Sequence, residues 1–135
     1  MTPNGDLPVP EKIRKQIFSA ARAAHPREAC GILLGRAGRI IVARETRNIH
    51  PKPETHFEID PQALIDAHRA EREGGLQIMG YFHSHPTGEP YPSETDRAMA
   101  AHDGKIWAIA AGERLMFWED DFEGFHALSY EVIAR

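Results

Sequence analysis

The stretch HSHPTGEPYPSETD, residues 83–96, constrains the fold of this chain more than any other part of its sequence. It begins with two histidines one residue apart, His83 and His85, and it closes on Ser93 and Asp96. Strand side chains two residues apart point to the same face, so the two imidazoles can meet at one point. The prolines between the two ends fix φ and stiffen the loop. The fold must therefore hold a strand end and a helix start against each other.

Two neutral imidazoles and one carboxylate suit a divalent metal ion. His83, His85 and Asp96 would fill three tetrahedral positions and leave a fourth for water, as in a catalytic zinc site. Zinc lowers the pKa of such a water to about 7. Other interpretations stay open, because one histidine can be buried and the other solvated, and Ser93 with Asp96 has the spacing of a helix capping box. A cap and a metal site can also coexist, since a helix start fixes both side chains.

A water activated in this way needs a proton acceptor, and Glu28 is the candidate. It stands at the mouth of the apolar run EACGILLG, directly after the helix stop at His25-Pro26, where a charge has no packing reason to be. A solvated acid at a strand end is the alternative. Glu89 and Glu94 lie nearer in sequence, but we expect them to be solvated on an exposed loop and a first helical turn.

Composition narrows the class of protein. A chain of 135 residues has the length of one domain, residues 1–135, with one core. The net charge of −4 disfavours nucleic acid and anionic lipid as partners, and the longest apolar runs are too short for a bilayer. The N-terminus has no signal-peptide pattern, and Cys30 is the only cysteine, which fits a reducing cytoplasm. We expect Cys30 to be a core residue rather than a nucleophile.

The hydrophobic pattern predicts a layered fold of the α/β or α+β class. Apolar residues at helical spacing predict helices over residues 11–24, 60–73 and 93–104, with Asp60 and Ser93 as N-caps of the last two. Short apolar or alternating runs predict strands over residues 28–36, 38–49, 76–85, 106–112, 114–120 and 125–133. Helices interleaved with strands in this way cover a mostly buried sheet.

These residues give the sequence a family resemblance. His83-Ser84-His85, seven residues, Ser93, two residues and Asp96, with Glu28 upstream, resemble the motif of the JAMM (MPN+) metallopeptidases. The segments HPREACGILLGR and GYFHSHPTGEPYPSETD are similar to the small bacterial branch of that family, and the resemblance runs from about Leu7 to the last strand. It implies a curved mixed sheet flanked by helices, of the cytidine-deaminase-like type.

The resemblance also implies roles for single residues. His83, His85 and Asp96 would ligate one zinc ion per chain. Glu28 would be the general base that takes the water proton and passes it to the leaving amine, and Ser93 would hydrogen-bond the oxyanion or the attacking water. Family members cleave amide or isopeptide bonds after the C-terminal glycine of ubiquitin-like proteins, and the small bacterial members are linked to sulfur carriers ending in Gly-Gly. We therefore expect such a carrier as the partner.

Two other functions stay open from sequence alone. The first is a non-catalytic binding or scaffold module of the same fold, although such relatives usually lack a ligand and this chain lacks none. The second is a zinc hydrolase of small amides. A nucleobase deaminase is excluded because its Pro-Cys-x-x-Cys signature needs two cysteines.

Overall fold

The computed structural model describes residues 5–134, and a six-stranded mixed sheet forms its centre. The sheet order is β3-β2-β4-β5-β6-β7; β4 and β5 pair in parallel, and the other neighbours pair antiparallel. The elements in chain order are β1 (Leu7–Pro10), α1 (Glu11–Ala24), β2 (Cys30–Arg36), β3 (Arg39–Thr46), α2 (Pro61–Arg72), β4 (Gln77–Ser84), α3 (Glu94–Met99), β5 (Lys105–Ala111), β6 (Arg114–Asp121), β7 (Gly124–Leu128) and β8 (Tyr130–Ile133).

Helices cover both faces of this sheet, which confirms the predicted layered α/β class. On one face, α1 buries Ile13 and Ile17 in a cluster that includes Leu33 of β2. On the other face, Ala67 of α2 packs in a second cluster with Ile32. Neighbouring residues of β2 join different clusters because successive strand side chains point to opposite faces. Within residues 5–134, no helix combines the length and the apolar character that crossing a membrane requires.

An irregularity in β4 decides which face carries the first histidine. Opposite Leu33 and Leu34 of β2, β4 has one residue too many, and the extra residue is Met79. A bulge of this kind shifts the alternation of side chains by one position. Beyond the bulge, Tyr81 packs on the α2 side, and His83, two residues further on, points the same way.

Several predicted elements need correction. The helix predicted over residues 93–104 ends at Met99, because the chain then turns towards β6, where the His102 N–H donates to the Asp120 carboxylate at 2.9 Å. The strand predicted over 125–133 breaks at Ser129. The part before the break, β7, stays in the large sheet, whereas β8 pairs in parallel with β1 in a separate two-stranded sheet.

The ends of the early strands also differ from prediction. The sequence did not predict β1, because its two prolines lack the N–H that a strand normally uses. The predicted strand 28–36 begins only at Cys30, and the predicted strand 38–49 is confined to Arg39–Thr46. The residues beyond β3 leave the ladder because Asn48 forms hydrogen bonds with the following loop instead.

Candidate active site

Three side chains converge where β4 ends and α3 begins. Nε2 of His83, Nε2 of His85 and Oδ2 of Asp96 are each 3.1 Å from the other two atoms. All three residues are buried. The two ends of the stretch 83–96 are thus brought together, as its spacing predicts.

This triangle of atoms has the size that a tetrahedral metal ion requires. Zinc bonds of about 2.0–2.1 Å place neighbouring ligand atoms about 3.3 Å apart. The two nitrogens and the carboxylate oxygen are already at nearly that spacing, so these residues fit such an ion. A second group of possible ligands, Asp121, Glu123 and His126, lies near the exposed β6–β7 turn, where acidic side chains commonly occur without a metal.

The ring of His85 is oriented by a hydrogen bond from its other nitrogen. Nδ1 lies 2.7 Å from the Glu89 carbonyl oxygen and donates to it, so in the neutral ring Nε2 carries the lone pair that faces Asp96. Burial disfavours the imidazolium, but the hydrogen bonds with Asp96 and the Glu89 carbonyl outweigh it and raise the pKa of His85. The environment of His85 therefore favours a positive charge at Nε2, from a proton or a cation.

The ring of His83 is oriented by packing. It stacks on Phe57 with ring centroids 4.3 Å apart, and it meets the ring of Trp107 edge-on at 5.7 Å. Its Nδ1 has no hydrogen-bond partner among the residues that the structure describes. Complete burial lowers the pKa of His83, which favours the neutral form that ligates metals.

Asp96 combines two roles in one atom. Ser93 Oγ accepts from the Asp96 N–H at 3.0 Å, and Asp96 Oδ2 accepts from the Ser93 N–H at 2.9 Å, so the predicted capping box is present. The same Oδ2 faces both imidazoles. Burial alone would raise the pKa of Asp96, but the two imidazole rings that face its Oδ2 and the hydrogen bond from the Ser93 N–H outweigh burial and hold that pKa well below its usual range.

Glu28 lies beside this cluster. It lines a cleft of about 450 Å³ together with His85 and Ser93. Glu28 is buried, and burial raises the pKa of its carboxyl group to about 7. The nearby His85 acts to lower this pKa but does not outweigh burial. The Glu28 N–H donates to the Pro53 carbonyl at 2.7 Å, and the Glu28 carbonyl accepts from Asn48 Nδ2 at 3.0 Å. The candidate base is thus held from both sides of its main chain.

Sequence reasoning missed the residues that support the site from behind. The Ser84 hydroxyl accepts from the Ala29 N–H at 2.8 Å, and the Ser84 N–H donates to the Ala29 carbonyl at 3.1 Å, which ties the histidine strand to the residue after Glu28. One signal was available for Ser84, because a residue between two same-facing histidines must point the other way. Asn48 and Phe57 carried no local signal.

Cys30 is a core residue, as the sequence predicts. It is fully buried in the cluster under α2, and its Sγ lies 3.6 Å from both Thr46 Oγ1 and the Arg47 carbonyl oxygen. Burial raises the pKa of its thiol to about 11, so the thiolate is not formed at neutral pH.

Comparison with known proteins gives the same family as the motif. Residues 10–121 match the family model described as prokaryotic homologues of the JAB domain. The chain is 32% identical to a desampylase of Haloferax volcanii over 88% of this chain and 91% of the relative. It is 34% identical to a probable TtuB-protein conjugate cleaving protease of Thermus thermophilus over 67% of this chain and 60% of the relative.

The fold agrees with these matches. A solution structure of a protein from Desulfitobacterium hafniense superposes with a TM-score of 0.82 and 24% identity, covering 95% of this chain and 93% of the other. We conclude that the chain belongs to the family of prokaryotic JAB-domain homologues, the small bacterial branch of the JAMM metallopeptidases.

Proposed function

We propose that the protein is a zinc-dependent isopeptidase that hydrolyses the amide bond after the C-terminal glycine of a ubiquitin-like sulfur-carrier protein. One observation carries this proposal: three ligand atoms at mutual distances of 3.1 Å adjoin a cleft that also holds a buried glutamate. The relatives named as a desampylase and as a TtuB-protein conjugate cleaving protease support the substrate class.

His83, His85 and Asp96, all three buried, would hold one zinc ion. When bound, the ion supplies Lewis acidity, which polarises a carbonyl group and acidifies water. The neutral form of His83 and the carboxylate form of Asp96, which their environments favour, are the forms that a cation requires.

Glu28 would act as the general base. A carboxyl group whose pKa is about 7 is divided between its two protonation states at neutral pH, so it can both accept and return a proton. The carboxylate would take the proton of the attacking water and deliver it to the nitrogen of the leaving amine. Its anchored main chain limits the positions that the carboxylate can reach.

Ser93 would stabilise the charge that develops on the carbonyl oxygen of the substrate. Its oxygen accepts the Asp96 N–H, which leaves the hydroxyl hydrogen free to be donated. The side chain lines the same cleft as Glu28 and His85. A hydrogen bond to a developing oxyanion is a common source of transition-state stabilisation.

We also propose that the carrier ends in Gly-Gly. The cleft that holds Glu28 is lined in part by Thr55, Thr87 and Gly88, which have short side chains or none. An extended backbone can run along such a surface if its own residues allow close approach, and glycine allows the closest.

The test is mass spectrometry of a carrier–protein conjugate before and after incubation with the zinc-loaded protein. We expect the wild type to release a carrier with a free C-terminal glycine, and Glu28→Gln to retain zinc but lose at least about 100-fold in turnover. Glu54→Gln is the matched control, because Glu54 lines the same cleft but is exposed. Equal turnover by Glu28→Gln and the wild type would remove Glu28 from the mechanism.

A further inference from the structure

We infer that Trp118, on β6, is a positioning residue for the metal ligand His85. The inference rests on the proposed zinc site and extends it to a strand that supplies none of its three ligands. Trp118 does not touch the three ligand atoms. It fixes the loop whose main chain orients one of the ligands.

The orientation of His85 depends on the position of the Glu89 carbonyl oxygen. That oxygen accepts the hydrogen bond from Nδ1 at 2.7 Å and so determines where Nε2 points. The loop around it is open, since Thr87, Gly88 and Glu89 are all exposed. Gly88 has a φ of 99°, so the path of the loop depends on a backbone conformation that other residues disfavour.

The next residue fixes this carbonyl in place. Pro90 is fully buried, and its own carbonyl oxygen accepts a hydrogen bond from Trp118 Nε1 at 3.1 Å. The two carbonyls belong to neighbouring peptide groups joined at the Pro90 Cα. Because the proline ring fixes φ there, holding the Pro90 carbonyl restricts where the Glu89 carbonyl can lie. The contact from β6 to the loop is therefore one residue away from the acceptor of His85.

The frame behind Trp118 is the same sheet that carries the other histidine. Trp118 pairs with Trp107 across β5 and β6, and Trp107 pairs with Tyr81 across β4 and β5. The Trp107 ring also meets the His83 ring at a centroid distance of 5.7 Å. The support for both ligands is thus built on adjacent strands.

Other contacts to the loop lie in solvent. The Tyr91 ring meets the Trp118 ring edge-on at 5.9 Å, and Arg114 donates to the Tyr91 hydroxyl at 3.2 Å. Arg114 also lies 3.6 Å from a Glu89 carboxylate oxygen, but both side chains are more than half exposed. Exposed ion pairs contribute little to the stability of a local conformation. We therefore assign the positioning role to the Trp118 N–H.

The experiment compares Trp118→Phe with the wild type in zinc affinity, measured by competition with a chromophoric chelator. Phenylalanine keeps an aromatic ring against Tyr91 but removes the N–H donor. Loss of an outer partner of a metal ligand typically weakens binding by about 10–100-fold, and we expect about 10-fold here because Trp118 acts through the loop. The metal-free melting temperature should change little. Arg114→Ala is the matched control and should keep wild-type affinity.

A second readout needs no metal. In the metal-free protein, NMR of ¹⁵N-labelled histidine side chains should show a slowly exchanging Nδ1–H of His85 in the wild type and in Arg114→Ala. We expect this signal to be weakened or lost in Trp118→Phe. A variant that only loosened the fold would lower the melting temperature without selectively removing this signal.

The outcomes separate the inference from the proposed function. If the wild type binds no zinc, the proposed function fails and the inference fails with it. If the wild type binds zinc and Trp118→Phe binds it equally well, the inference alone is overturned. Should Trp118→Phe not fold, Trp118→Leu, which also lacks the indole N–H that Pro90 accepts, takes its place. Wild-type zinc affinity in Trp118→Leu would then overturn the inference.

Discussion

At the scale of residues, Glu28 is distinguished by being an acid kept partly protonated at neutral pH. Its pKa is raised from 4.5 to about 7, chiefly by burial. A raised pKa in the folded state means that the folded chain binds the proton more tightly than the unfolded chain. The tighter proton binding contributes to the free energy of unfolding. That contribution is fully present below about pH 4.5 and is lost as the pH rises through about 7.

Replacing Glu28 with glutamine should therefore stabilise the metal-free protein at alkaline pH. Glutamine cannot ionise, so it avoids the cost of a buried carboxylate, which we place on the order of 1–2 kcal/mol at pH 8. Thermal unfolding in the presence of a chelator should show Glu28→Gln melting a few degrees above the wild type at pH 8, with a smaller difference at pH 5. Equal melting temperatures at both pH values would contradict the raised pKa.

The two roles of Ser93 can be separated by a pair of substitutions. Glycine is nearly as good an N-cap as serine but has no hydroxyl, whereas threonine keeps both functions. We expect Ser93→Gly to lose on the order of 100-fold in turnover on a carrier conjugate with little change in stability, and Ser93→Thr to stay within about 10-fold of the wild type. Full activity in Ser93→Gly would reduce Ser93 to a helix cap.

The site motif could be predicted because its residues act locally. His83 and His85 share a strand face, and Ser93 and Asp96 share a helical turn, so sequence spacing alone places each pair. Phe57 could not be predicted, because its stacking on His83 depends on a loop that tertiary packing folds back over β4. The catalytic roles of Glu28 and Ser93 and the metal-ligand roles of the other motif residues stay predictions, which the variants described here test.

At the scale of elements, β4 requires a residue without a side chain at position 80. It lies between β2 and β5, and a Cβ at Gly80 would overlap the Ile106 carbonyl of β5. The overlapping atom is main chain in the middle of a sheet, so it cannot move aside as a flexible side chain would. The parallel β4–β5 pairing thus depends on the absence of a side chain at this position.

Gly80→Ala should destabilise the protein by about 1–3 kcal/mol, because overpacking a sheet forces backbone shifts. The measurement is urea unfolding of the metal-free chain, in which the midpoint should fall while the slope stays the same. A midpoint equal to that of the wild type would mean that β4 and β5 separate more easily than their close contact implies.

The split of the last predicted strand depends on its partner strands. Residues 125–133, FHALSYEVI, contain no Gly or Pro to mark a break, so the sequence predicts one strand, and only the partner strands reveal two. β7 pairs with β6 next to it in the chain, whereas β8 pairs with β1 from the opposite end. Pairing between distant segments is set by tertiary packing, to which single-strand patterns do not respond.

At the scale of the whole molecule, a zinc ion would join a central strand of the sheet to a short helix. His83 belongs to β4, which pairs in parallel with β5, and Asp96 belongs to α3, a helix of six residues. A helix this short has little stability of its own. A bound ion would therefore stabilise α3 and the loop before it together with the sheet.

Zinc should raise the thermal stability of the whole chain. A ligand present at about 100 times its dissociation constant adds about 2.7 kcal/mol, which for a domain of this size corresponds to roughly 5–15 °C. Differential scanning calorimetry should show this rise and its reversal by a chelator. Asp96→Asn, which keeps an acceptor for the Ser93 N–H but not the charge, should lose most of the zinc effect. A wild-type chain that melts identically with and without zinc would contradict the metal site.

The bulge at Met79 limits how β4 can change in length during evolution. Deleting a single residue there would exchange the α1 and α2 faces for the rest of the strand, so the neighbours of His83 would point to the face where His83 now lies. Descendants of this chain can gain or lose residues in connecting loops far more readily than in this strand. Homologues that retain the histidine pair should therefore also retain one unpaired residue four positions before it.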